Sequence, residues 1–141
     1  MGSKLAVRLV AATLAVCLLS GCTSARNSLG TSDSSCYLAL PSATRAVGPH
    51  ARFIGVHQFT LSSLSRKNPR LFNSLGGVKP TSQRVCIIEF GGSFTRASVQ
   101  KPLGKPFGRL ALVVSETPSD HLVGTVILHH PPLDFAHLHF G

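Results

Sequence analysis

Acidic side chains are scarce in this chain. Its 141 residues hold five Asp and Glu against fourteen Lys and Arg, for a formal charge of +9. Tryptophan is absent, Tyr37 is the single tyrosine, and eight phenylalanines supply the other aromatics. The acids are Asp33, Glu89, Glu116, Asp120 and Asp134, spread along the chain. Hydrolysis by paired carboxylates needs two acids facing one cleft. Only Glu89, inside an apolar stretch, is placed to have a shifted pKa, and a salt bridge to a neighbouring arginine is the plainer role for it. No G-x-S-x-G is present, so a serine nucleophile elbow is not indicated. Phosphate-cradling glycine motifs, H-E-x-x-H and C-x-x-C are also missing. Gly91-Gly92-Ser93 follows an apolar run and reads as a bend or bulge rather than an oxyanion loop. With no nucleophile–base pair to name, the chain reads as non-enzymatic.

What the chain does have begins at its N-terminus. Lys4 and Arg8 form a short positive segment, residues 9–19 are apolar and uncharged, and Ser20-Gly21 supplies small residues beside a cut site. That layout is a secretory signal and is set aside from the fold. Its apolar run falls short of the ~20 residues a membrane-spanning helix needs.

The four residues Leu19-Ser20-Gly21-Cys22 that close this segment resemble the lipobox of bacterial lipoproteins. The resemblance covers residues 1–22 and no further. It implies that the Cys22 thiol takes a diacylglyceryl group and that signal peptidase II cuts before it. Palmitate-type chains then hold the protein on the extracytoplasmic face of the cell membrane. One acyl chain binds membranes only marginally, whereas the two or three of this class anchor durably.

Cysteine count follows from that. Of Cys17, Cys22, Cys36 and Cys86, the first leaves with the signal and the second carries lipid. Cys36 and Cys86 remain, in a compartment that permits disulfides, and are expected to pair. The rival reading is a reactive thiol, with Cys86 as a nucleophile. Loss of residues 1–21 removes Lys4 and Arg8 and no acid, which takes the charge from +9 to +7. That balance either draws the domain onto anionic headgroups and cell-wall polymers or is an ordinary solvated surface. No run of five like charges occurs, and nucleic acid is not an expected partner.

Residues 23–35 are small, polar and without hydrophobic period, and read as a tether with a mean reach of about 20 Å. Residues 36–40 read as a strand or short helix ended by Pro41. Residues 52–60 read as a strand. Leu61, Leu64, Asn68, Leu71, Phe72 and Leu75 recur at helical steps of three and four. Pro69, preceded by Asn68 as a ready N-cap, kinks or splits that helix, and Gly76-Gly77 ends it. Residues 84–90 read as a strand and 91–108 as a loop bearing Arg96, Lys101 and Lys105. Residues 110–115 and 121–130 read as two strands around a five-residue turn. The apolar tail, residues 131–141, is expected to pack on the sheet.

The order β–α–β–β–β predicts an α+β fold: a small, mostly antiparallel sheet with one helix, kinked or split at Pro69, packed on a face. Residues 1–21 are then the signal peptide, 22–35 the lipidated cysteine and tether, and 36–141 one α+β domain. No internal repeat is visible. The expected role is that of a non-catalytic accessory or interaction module meeting another envelope protein or a cell-wall polymer. The alternative is a zinc- or copper-binding lipoprotein. His137 and His139 would share a strand face, with His129 or His130 and Asp134 completing the set. Against it, histidines at sheet ends commonly bond only to backbone or solvent.

Overall fold

Val85 to Phe90 are six consecutive buried residues of one strand. Successive side chains of a strand point to opposite faces, so such a run exists only where both faces of the sheet are covered. A computed structural model of the chain describes residues 34–132. The expected signal segment, Cys22, most of the expected tether, and Asp33, Asp134, His137 and His139 lie outside the described residues.

Five strands form one sheet: β1 (Arg52–Thr60), β2 (Arg84–Thr95), β3 (Pro102–Gly104), β4 (Phe107–Glu116) and β5 (Leu122–Leu128), in the order β1-β2-β4-β5-β3. The first four in that order pair antiparallel, and β3 alone runs parallel, beside β5. The fold is thus α+β with a mostly antiparallel sheet. No helix among the described residues is long and apolar enough to cross a membrane.

The expectation of one helix on one face is corrected. One face carries a 3-10 helix (Ser34–Ala39) continued by α1 (Leu40–Val47), and the other carries α2 (Leu61–Lys67) and α3 (Pro69–Ser74). Pro41 starts α1 rather than ending an element, since proline at the first turn gives up an N–H that has no partner anyway. α1 buries Ala43, Ala46 and Val47 over Ile88, Phe90, Ala111 and Val113. Its small side chains let the helix approach the sheet closely. The second face packs Leu61, Leu64, Leu71 and Leu75 on Val85, Ile87, Leu112, Val114 and Val126.

Between α2 and α3 the chain breaks at Asn68. Its Oδ1 accepts the Leu71 N–H at 3.0 Å, and Pro69 takes the first helical position. The side chain of Thr60 likewise caps α2 by accepting the Ser63 N–H at 3.1 Å.

The expected loop over residues 91–108 is also corrected. β2 continues to Thr95 through an irregular register between Gly91 and Phe94, and β4 begins at Phe107. Between them, Val99 packs into the α1 face and the Gln100 N–H donates to Ala46 O at 2.8 Å. The segment therefore crosses that face to place β3 at the far edge. The disulfide Cys36–Cys86 ties the 3-10 helix to β2, with both cysteines fully buried.

Candidate functional site

Strand direction gives the domain two unlike ends. β4 runs from Phe107 and Arg109 at one end to Glu116 at the other, and β5 returns from Leu122 to His129. Three acids fall within the described residues. Glu89 is buried within the sheet, and Glu116 and Asp120 flank the β4–β5 turn. The opposite end gathers exposed bases from several elements. Arg109 comes from β4, Arg52 from the start of β1, Arg96 and Lys105 from the segments around β3, and Lys67 and Arg70 from the α2–α3 junction. No acid among the described residues stands with them.

Local chemistry places each base. The Arg96 Nη2 donates to Gly104 O at 3.2 Å, and its N–H donates to Pro106 O. The Lys105 N–H donates to Ile127 O at 3.1 Å. Lys101, expected on the same surface, departs to the other end, where its Nζ donates to Leu122 O at 2.7 Å. The Asn68 cap turns the chain between Lys67 and Arg70, so the two bases flank one short corner.

Two clefts open at this basic end and share His130 as a wall. The first, about 560 Å³, is lined by Phe94, Phe107, Arg109 and His129 among others. The second, about 440 Å³, lies between Lys67, Arg70, Leu128 and Pro131-Pro132. Phe107 is 60% exposed and meets His129 edge to face, ring centroids 5.2 Å apart. An exposed aromatic beside guanidinium and imidazole groups suits a ligand with anionic groups on an apolar or cyclic frame.

Of the expected site residues, Cys36 and Cys86 are brought together. His129 and His130 are exposed neighbours at the basic end. His137 and His139, with Asp134, lie outside the described residues, and no three His, Cys, Asp or Glu among the described residues stand where they could hold a metal ion. Glu89 sits on the α2–α3 face of β2, opposite Gly55 on one neighbour and Leu112 on the other.

Sequence reasoning passed over several residues. Phe107 falls in the stretch expected as loop, Lys67 and Arg70 fall within the expected helix, and Ser115 closes an expected strand. Ser115 falls on the inward side of β4, where alternation calls for an apolar residue, and it is 97% buried, being 3% exposed. That mismatch was the available signal. A third cleft, of about 260 Å³, lies over it at the Glu116 end of β4. No family model, no curated protein and no solved structure matches this chain.

Proposed function

We propose that the protein is a lipid-anchored extracytoplasmic lipoprotein, held through Cys22, whose domain is a non-catalytic binding module for an anionic cell-wall polymer. The single observation behind the binding role is the gathering of Arg52, Lys67, Arg70, Arg96, Lys105 and Arg109 at one end, with no acid among the described residues beside them. Clefts lined by one sign of charge focus the field and raise the local concentration of an oppositely charged partner.

The place where the chain enters the domain supports the wall over the membrane as the partner of that end. The chain leading from Cys22 enters the described residues at Ser34, and Cys36 is bonded to Cys86, whose register partner on β4 is Ser115. Phe107 stands eight residues back along β4, about 27 Å away at the rise of an antiparallel strand. The basic end is therefore the end far from Ser34, where the chain enters the described residues. The buried Cys36–Cys86 bond is in keeping with an oxidising compartment, where such bonds persist.

The test is co-sedimentation of the full chain with purified cell-wall polymer and, separately, with anionic phospholipid vesicles. The reading expects retention on the polymer that fades as salt rises from 50 to 500 mM. Replacing Lys67, Arg70 and Arg109 together by Gln should abolish it. Retention on vesicles alone, or polymer binding indifferent to the triple substitution, overturns it.

A further inference from the structure

At the end opposite the bases, the 260 Å³ cleft lies between α1, the segment before β3 and the β4–β5 turn. Arg45 and Asp120 both line it. Among the described residues neither Arg45 nor Asp120 stands in an ion pair, and Glu116 beside them is met by His121. A guanidinium and a carboxylate thus face one small cleft without neutralising each other. Between them, Ala43, Val113 and Leu122 supply an apolar surface.

Ser115 adds an independent sign. The residue lines the same cleft, and its hydroxyl is buried beneath the surface with no hydrogen-bond partner among the described residues. Thr125, cross-strand from the cleft residue Val113, carries a second buried hydroxyl in the same condition. Buried polar groups in folded proteins nearly always have partners, and each exception calls for an explanation. A buried hydroxyl without a partner in a residue that walls a cleft bearing separated charges is accounted for by a polar occupant.

From this geometry we propose that the cleft binds a small zwitterion of the α-amino-acid class. The ligand carboxylate meets Arg45 and its ammonium meets Asp120. Its polar head lies over Ser115, whose hydroxyl turns outward to meet it, and a short apolar side chain rests on Ala43, Val113 and Leu122. The size agrees, for the cleft lies just under the roughly 300–1,000 Å³ of sites for drug-sized molecules. The proposal is independent of the basic end, which lies at the other end of the sheet and is assigned a purely anionic ligand.

The test is calorimetric titration of the detergent-solubilised full chain with alanine and valine of either hand, and with propionate and ethylamine as half-charged analogues. Binding of the amino acids, with either half-charged analogue weaker by about tenfold or more, is the expected result. Arg45→Gln and Asp120→Asn should each weaken the amino acids by a similar factor. Both positions are exposed, and asparagine tolerates the positive φ that Asp120 adopts, so the fold is retained. Ser115→Ala separates binding from a structural role. It should leave unliganded melting unchanged or raised, because it removes an unsatisfied buried group, while shrinking the melting shift that alanine produces. Absence of heat with every amino acid overturns the proposal, as does binding that Arg45→Gln and Asp120→Asn both leave intact.

Discussion

Phe107 and His129 meet edge to face across the β4–β5 end, with ring centroids 5.2 Å apart. The contact holds a mostly exposed phenylalanine upright as a wall of the larger basic cleft. An aromatic pair of this kind contributes about 0.5–1.5 kcal/mol beyond burial, and less at an exposed site. Phe107→Ala should therefore lower unfolding free energy by under ~1 kcal/mol. Its effect on polymer retention should be far larger, read as a several-fold loss in the co-sedimentation assay. A variant that loses stability and keeps full retention would remove Phe107 from the binding surface.

Cys36 and Cys86, separated by 50 residues in sequence, staple the 3-10 helix to the middle of the sheet. Closing a loop of that length stabilises by about 4 kcal/mol in the chain-entropy model. The double substitution Cys36→Ser, Cys86→Ser should lower the denaturation free energy by that order. Added reductant should then shift the denaturation midpoint of the wild type and leave the double variant unmoved.

Asn68 accepts the Leu71 N–H at the start of α3 while itself 92% buried, being 8% exposed. Asn68→Ala should cost about 1 kcal/mol, the usual value of an N-cap. Asn68→Asp keeps the accepting oxygen and should recover most of the loss. Because the cap sets the corner between Lys67 and Arg70, the alanine variant should also weaken polymer retention, with all six bases still present.

Gly108 shows how closely β4 passes its neighbour. A Cβ at this position would collide with the carbonyl oxygen of Leu128. Backbone cannot swing away as a flexible side chain can, so Gly108→Ala should destabilise by about 2 kcal/mol, within the usual range for overpacking. Thermal denaturation checks this, and a melting temperature equal to wild type would contradict it.

Legibility in the sequence followed the strength of the local signal. The apolar run of β2 and the β4–β5 hairpin stood out because β-branched residues dominate them. The division at Asn68-Pro69 was legible because asparagine caps and proline starts a helix. Three things were hidden. β2 passes through Gly91-Gly92, which by composition look like a stop, and survives by a local irregularity of register. β3 is Pro-Leu-Gly, too short to show a period, and exists because β5 offers a parallel edge. α1 buries alanines, which leave no strong apolar stripe, so the cover on its face was invisible.

The candidate sites were less legible still. The basic end draws on residues from 52 to 109 that only the sheet order brings together. Charge scattered along the chain proved compatible with charge gathered in space. Ser115 left the one local trace, a polar residue where β4 turns inward.

The proposed anchor on Cys22 underlies every envelope partner considered above, and intact-mass analysis of the membrane-extracted protein tests it most directly. The account predicts a mature chain that begins at Cys22 and carries two or three fatty acyl chains, with Cys22→Ser abolishing both cleavage and acylation. A protein that keeps residues 1–21, or that begins elsewhere with Cys22 unmodified, would contradict it.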